Sequence, residues 1–193
     1  MSLAPWRSPL SRALHRNRAR ADAKYFQLAT IRRDRSPANR TVVFRGFLQD
    51  SDRLKIVTDG RSEKIEQIDF NPQAEACWYF PITREQYRLQ GTLTSVKSDA
   101  ETPELQQARH IAWQDLSPSA RLQFAWPAPG QPRHPNADFD PPAPDPVQPT
   151  DPFCLLLLDP IRVECLELRG NPQNRWLYLR QSDRSWSVQE INP

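Results

Sequence analysis

A chain of 193 residues can form one globular domain with a hydrophobic core but is too short for two comfortable domains. Its 38% hydrophobic and 25% charged content excludes wholesale disorder. The formal net charge of +3 comes from 26 basic and 23 acidic residues, and this near balance does not predict a nucleic-acid partner. Proline is the unusual component, since half of the 20 prolines fall within residues 127–152.

The cysteines and the apolar runs indicate the cellular compartment. Cys77, Cys154 and Cys165 lie far apart in strand-like segments, without the spacing of a metal site or a redox pair. We expect them to be buried thiols in a reducing compartment. No apolar run reaches membrane-spanning length, and the N-terminus has no signal-peptide core. The expectation is a cytoplasmic protein with no metal and no membrane contact.

The first half of the sequence predicts a helix followed by short strands. The helix begins at Ser8 or Ser11 and continues to about residue 21, with apolar side chains on its inner face. A short helix at residues 63–70 follows Ser62, a suitable N-cap, and ends at Asn71-Pro72. Runs of β-branched and aromatic residues between turn residues predict strands at 25–31, 41–48, 54–58, 74–80 and 85–96.

The second half predicts two helices and further strands around the proline-rich stretch. The helices are at residues 103–113 and 117–124. The stretch at about 127–152 is either a disordered linker or an ordered surface loop within a single domain of residues 1–193. The later strands are predicted at 153–158, 161–168, 175–181 and 186–191. Short strands joined mostly by turns predict a mainly β fold, an antiparallel barrel with flanking helices.

The clearest functional pattern is the junction between the 54–58 strand and the helix that follows it. A helix N-terminus presents free N–H groups and partial positive charge, which suit phosphate. Thr58 and Ser62 add hydroxyl groups, and Lys64 lies in the first turn. Arg40 and Arg45 lie on the preceding strand, which we expect to pair with the 54–58 strand as a hairpin. The pattern favours a dianionic phosphate ligand, although a capped surface helix with a solvated lysine stays open.

Two later residues are weaker candidates. Arg175 heads an apolar strand face, so it must pair with a carboxylate such as Glu164 or Glu167, reach an edge, or contact a ligand. The amide of Gln86 could donate to and accept from a flat heterocycle, or simply be solvated. Trp126 is assigned to the core or an interface. No nucleophile, metal or P-loop motif is present, so no catalytic side chain is assigned.

The order of these features resembles the pyridoxamine 5′-phosphate oxidase-like flavoproteins. The resemblance is carried by RTVVFRG at 40–46, VTDGRSEK at 57–64, NP at 71–72, EQYRLQG at 85–91, IRVE at 161–164 and RWLY at 175–178. It implies a six-stranded-type split β-barrel that binds FMN as a homodimer, with the flavin site across the interface and Arg175 reaching it from the partner subunit. It implies cofactor contacts from Arg40, Thr41, Val42, Arg45, Val57, Thr58, Ser62, Lys64, Gln86 and Arg175.

The part of the family pattern that binds substrate is different here. The oxidases carry an Arg-Leu-His run before the final arginine strand, where this chain has GNPQN at 170–174, and their central Gln-Ser segment is replaced by DLSPSARLQFAWPAPGQP. The resemblance therefore implies an FMN-dependent oxidoreductase of unassigned substrate. The alternatives are a genuine pyridoxamine 5′-phosphate oxidase and a non-catalytic flavin- or haem-binding module. A nucleic-acid adaptor ranks last.

Overall fold

Antiparallel strands dominate residues 3–100 and 102–193, which the computed structural model describes. The strands are β1 Tyr25–Ile31, β2 Pro37–Val43, β3 Leu54–Asp59, β4 Gln73–Phe80, β5 Glu85–Val96, β6 Phe153–Glu167, β7 Asn174–Arg180 and β8 Trp186–Ile191. The helices are α1 Arg7–Arg16, α2 Glu63–Phe70, α3 Pro103–Gln114 and α4 Pro118–Leu122, with short 3₁₀ helices at Gln123–Ala125 and Asn136–Phe139. The mainly β fold with peripheral helices is as predicted.

The long strand β6 divides the sheet into a barrel and an extension. One edge of β6 pairs with β5, whereas its other edge pairs first with β3 and then with β7. The sheet order β2-β1-β4-β5-β6 is closed through β3, because Arg45 N–H donates to the Lys55 carbonyl at 2.9 Å and Lys55 N–H to the Gly46 carbonyl at 2.8 Å. Strands β1–β6 therefore form a six-stranded split barrel, and β7 and β8 extend the sheet beyond β6, with Tyr178, Trp176 and Trp186 packed on the same core.

A bulge lies where β6 changes partner. The β5–β6 register shifts between Gln90 and Gly91, and Gly91 faces Pro160. A Cβ atom on Gly91 would lie 2.1 Å from the Asp159 carbonyl oxygen, so only glycine fits this close approach. The sequence predicts two strands, at 153–158 and 161–168, and this is wrong because the bulge accommodates Pro160 within one continuous strand.

The apolar run in the first part of β6 serves two cores at once. Cys154, Leu156 and Leu158 belong to the barrel core, whereas Phe153, Leu155 and Leu157 pack in a second cluster with α3. In that second cluster the Phe153 ring centroid lies 5.1 Å from those of both Trp113 and Phe124. Burial on both faces explains why this segment shows no polar alternation.

The hairpin predicted between the arginine strand and β3 forms only for the residues that follow β2, since Phe47 bridges Leu54 and Leu48 N–H donates to the Arg53 carbonyl at 2.9 Å. All of β2 pairs instead with β1, and β3 pairs with β6. The cause is the tight turn before β2, in which Arg35 has a positive φ of 66° and the Asp34 carboxylate accepts from Ser36 N–H at 2.9 Å. This turn returns the chain along β1, so β2 begins at Pro37 and ends at Val43 rather than covering 41–48.

Other predicted boundaries differ less. Helix α1 ends at Arg16 rather than near residue 21, while β1, α2, β5 and β8 have the predicted bounds. Cys154 and Cys165 are buried as expected, and burial raises the pKa of the Cys154 thiol to about 11 and that of Cys165 to about 12. Cys77 is only half-buried, so that prediction is wrong, because its side chain lies on the outer face of β4.

The proline-rich stretch is an ordered surface loop, not a linker. Trp113 Nε1 donates to the Asp145 carbonyl at 2.9 Å, and the buried Arg109 guanidinium donates to the carbonyls of Thr150 at 2.8 Å and Phe153 at 3.0 Å. These bonds fasten the end of the stretch to α3 and β6. No helix within residues 3–100 and 102–193 is both long and apolar enough to cross a membrane.

Candidate functional site

The junction of β3 and α2 brings an ammonium group together with two hydroxyl groups. Lys64 Nζ donates to Thr58 Oγ1 at 2.8 Å and to Ser62 Oγ at 2.9 Å. Ser62 occupies the N-cap position, but its hydroxyl donates to the Asp59 carbonyl at 2.7 Å and accepts no helix N–H. The helix start is therefore as predicted, whereas the hydroxyl-to-helix bond expected of an N-cap is not formed.

Arg40 approaches the same junction from β2. Its guanidinium donates to Thr30 Oγ1 at 2.6 Å and to Gln67 Oε1 at 2.8 Å. Burial lowers the pKa of Arg40, and burial followed by the charge of Arg40 lowers the pKa of Lys64. Thr30 and Gln67, which orient Arg40, were missed by the sequence interpretation, although Gln67 lies one helical turn after Lys64.

The two cations of this junction have only neutral acceptors. Within the described chain, neither Arg40 nor Lys64 has a carboxylate oxygen within 4.0 Å, and the nearby Glu63 accepts instead from Arg32 at 3.0 Å and Gln67 at 2.7 Å. Burying cations without a counter-ion is costly, so such a cluster is matched to an anion. A phosphate dianion fits a set of two cations and two hydroxyl groups.

A cavity of about 540 Å³ adjoins this junction, a size typical of cofactor sites. The predicted residues Arg45, Val57 and Thr58 line it from the barrel side, whereas Thr41 is exposed on β2 and Val42 is buried in the barrel core. The remaining wall comes from residues 116–139, which include α4 and the start of the proline-rich stretch, through side chains such as Leu116, Phe124, Trp126, Pro127 and Phe139. Trp126, assigned by sequence to the core or an interface, lies outside both core clusters and lines the cavity, and its place at an interface stays a prediction.

Gln86 and Arg175 form a separate group on the outer face of the sheet. Cross-strand pairing places Gln86 opposite Leu166 and Leu166 opposite Arg175. Both candidate residues line a depression of about 60 Å³ that shares no residue with the large cavity. Arg175 donates to Glu164, the ion pair foreseen as one alternative. Eight of the ten candidates therefore lie in β2, β3 and α2 or directly beside them, with Arg45 after β2 and Ser62 before α2, whereas these two lie apart.

Glu164 is the centre of charge on that outer face. It is only 6% exposed and also accepts from Arg162 at 2.7 Å, while Arg88 lies at 3.8 Å. Burial alone would raise the pKa of Glu164, but hydrogen bonds from Arg175 and Arg162 lower it below its ordinary value. No group of three His, Cys, Asp or Glu side chains in the described chain is arranged to hold a metal ion.

Comparisons with known proteins agree with this geometry. Residues 3–97 match the family model described as pyridoxamine 5′-phosphate oxidase, FMN-binding domain. A relative from Arabidopsis thaliana, named pyridoxine/pyridoxamine 5′-phosphate oxidase 2, is 39% identical over 197 residues, which cover 99% of this chain and 98% of the relative.

Two solved structures are similar over the whole chain. A pyridoxamine 5′-phosphate oxidase-related, FMN binding protein from Nostoc punctiforme has 56% identity and a TM-score of 0.97, with 100% of both chains covered. PhzG from Burkholderia lata, solved with tetrahydrophenazine-1-carboxylic acid, has 17% identity and a TM-score of 0.78, covering 100% of this chain and 94% of that one, and so shows the fold alone. The chain therefore belongs to the pyridoxamine 5′-phosphate oxidase-like family of split-barrel proteins, and its cofactor is FMN.

Proposed function

We propose that the protein is an FMN-dependent oxidoreductase, with the FMN phosphate bound at the β3–α2 junction by Arg40, Ser62 and Lys64. The observation that carries this assignment is the pair of partly buried cations whose acceptors are all neutral. A phosphate there would supply the missing negative charge. The hydroxyl group of Thr58, which already accepts from Lys64, would add a donor to the same phosphate.

The rest of the cofactor would occupy the large cavity. Arg45 and Val57 line it and would contact the ribityl chain and ring, and the backbone at Thr41 and Val42 would follow the phosphate end. Bound FMN supplies hydride transfer through its isoalloxazine ring, so the protein need only hold, orient and shield it. This fits a chain in which no acid–base pair or nucleophile was found by sequence.

The outer sheet face supports a homodimer in which a second copy completes the site with Gln86 and Arg175. Tyr25 and Tyr79 on this face are 47% and 46% exposed, which is unusual for large aromatic side chains unless they meet a partner. Under this proposal the outer face of one subunit would meet the cavity of the other. Light scattering at micromolar concentration tests it, and a clean monomer would contradict it.

A second candidate substrate is pyridoxamine 5′-phosphate, because the Arabidopsis relative named pyridoxine/pyridoxamine 5′-phosphate oxidase 2 matches almost the entire chain. The turn at 170–174 lacks the basic residues of the known oxidases, which is why we rank this below an unassigned substrate. Oxygen-dependent turnover of pyridoxamine 5′-phosphate with peroxide release would reverse the ranking.

The free cysteines, two of them buried, support a reducing and cytoplasmic location.

An absorption spectrum of the purified protein, followed by titration with FMN, tests the cofactor assignment. We expect a flavin spectrum and stoichiometric uptake. Anaerobic addition of NADH, NADPH and a metabolite panel then tests the enzyme assignment, with bleaching of the flavin band expected. Bound flavin that no reductant bleaches would favour the non-catalytic module, and protein that takes up no FMN would reject the phosphate site.

A further inference from the structure

We propose that Gln67 is a specificity-determining residue, whose neutral amide keeps Arg40 available for a phosphate and so makes the protein prefer FMN to riboflavin. This inference rests on the proposed function, because it concerns the phosphate site at the β3–α2 junction. Gln67 does more than orient Arg40, since it places an uncharged acceptor at a position where a carboxylate would neutralise the guanidinium.

Gln67 is a buried amide with a partner for each of its polar atoms. It lies on α2 and is only 3% exposed. Its Oε1 accepts from Arg40 Nη2 at 2.8 Å and from Thr30 Oγ1 at 2.6 Å, whereas its Nε2 donates to Glu63 at 2.7 Å. These partners fix which end of the amide faces Arg40, because the guanidinium can only donate and the carboxylate can only accept. The oxygen that Arg40 meets therefore carries no net charge.

Arg40 keeps donors for a ligand after these contacts are made. A guanidinium has five N–H groups in a rigid planar fork. Within the described chain, Nη1 donates to the Leu28 carbonyl at 3.1 Å and to Thr30 Oγ1 at 2.6 Å, Nη2 donates to Gln67, and Nε makes no hydrogen bond. Neutral partners thus hold Arg40 in place and leave its charge, with the N–H groups of Nε and Nη2, for an anion.

The carboxylate of Glu63 lies on the other side of the same amide. Glu63 accepts from Arg32 at 3.0 Å as well as from Gln67, and its ion pair is with Arg32 rather than with Arg40. The hydrogen bond from Arg32 is the largest cause that lowers the pKa of Glu63, so Glu63 is charged at neutral pH. Gln67 therefore lies between an anion and a cation and is bonded to both.

An exchange of the two neighbouring side chains tests the inference. The double variant that combines Glu63→Gln with Gln67→Glu conserves the net charge and moves the carboxylate beside Arg40, since Oε1 of residue 67 is 2.8 Å from the guanidinium. Arg40 would then have an internal counter-ion, so FMN should bind about 10- to 100-fold more weakly. Riboflavin lacks the phosphate, and its Kd should stay within about twofold. Calorimetry measures both constants.

Three single substitutions separate charge from structure. Glu63→Gln removes the exposed carboxylate and leaves the amide beside Arg40, so the Kd for FMN should stay within about threefold. Gln67→Met has a similar size and lacks the acceptor, but the charge of Arg40 stays free, so FMN should weaken only about threefold. Glu66→Gln removes the exposed partner of Arg33 on the same helix and is the matched control, which should change neither Kd.

The FMN affinity of the double variant decides the inference. An affinity equal to that of the wild-type protein, or an equal loss of FMN and riboflavin, would overturn it. A loss of about tenfold or more in Gln67→Met would also overturn it, because Gln67 would then be structural only, and this comparison holds even if the double variant does not fold. If the wild-type protein bound FMN no more tightly than riboflavin, the proposed phosphate site would fail as well.

Discussion

Two clusters of basic residues in this protein are neutralised in opposite ways. On the outer sheet face, three arginines surround the buried carboxylate of Glu164. At the β3–α2 junction, Arg40 and Lys64 have hydroxyl, amide and carbonyl acceptors but no carboxylate in the described chain. The difference supports the proposal that a ligand supplies the counter-charge at the β3–α2 junction, whereas the fold itself supplies it on the outer sheet face.

The largest expected effect comes from removing the carboxylate of the first cluster. Glu164→Gln removes the charge of a carboxylate that is only 6% exposed and accepts from both Arg162 and Arg175, so we expect the free energy of unfolding to fall by about 3 kcal/mol. Urea unfolding measures the change. The exposed Glu190→Gln on β8 is the control, and equal midpoints for the two variants would contradict a structural role for the cluster.

The second cluster should respond in ligand affinity rather than stability. Lys64→Met removes one charged donor, so FMN should bind about 10- to 100-fold more weakly. Riboflavin, which lacks the phosphate, should bind wild type and variant equally. The stability of the FMN-free protein should not fall, because burial lowers the pKa of Lys64 and so disfavours its charged form.

Lys97→Met provides the matched control for this variant. Lys97 pairs with Asp69 at 3.0 Å, away from the junction, and its loss should leave FMN affinity unchanged. If Lys64→Met weakened FMN and riboflavin by the same factor, the phosphate would not be the group that Lys64 contacts.

Arg175 contacts Glu164 in the cluster on the outer sheet face, but we also expect it to bind the flavin. It therefore tests the comparison of the two clusters directly. Arg162 binds the same carboxylate and is the natural control. Arg175→Gln and Arg162→Gln should cost similar stability, but only Arg175→Gln should weaken FMN binding, by about fivefold for one lost charged contact. Equal FMN affinities in the two variants would remove Arg175 from the flavin site.

The smallest effect is a dependence of stability on pH. The folded pKa of Glu164 lies below its ordinary value of 4.5, so its contribution to stability is present above that pH and is lost as pH falls through the folded pKa. The stability difference between wild type and Glu164→Gln should therefore shrink as the solution is acidified below about pH 4.5. A constant difference from neutral to acidic pH would show that the charge of Glu164 is immaterial.

Local patterns predicted much of this fold. The alternation along β5 and the turn residues around β1 and β8 define these strands correctly, because each is decided by neighbours in sequence. Pairing was less accessible: the predicted hairpin forms only between residues 45–48 and the start of β3, whereas β2 pairs with β1, and β3 also pairs with β6 about 100 residues later. Such long-range pairings are set by the whole core rather than by any segment.

The site shows the same division. Thr58, Ser62 and Lys64 were found because they are close in sequence, and the structure brings them within hydrogen-bonding distance. The position of Trp126 beside the cavity was not predicted, because a proline-rich segment carries no periodicity from which side-chain direction could be inferred; Arg61 binds its backbone carbonyl and Phe139 contacts its ring.

The bulge at Gly91 and Pro160 has a further consequence for how this protein can vary. It is a mechanical boundary within a single strand, with the ligand-holding barrel on one side and the exposed sheet extension on the other. Because the β5–β6 register shifts there, substitutions in β7 and β8 need not change the register with which β3 pairs. One continuous strand can thus carry two surfaces that evolve at different rates, joined at a position where only glycine is tolerated.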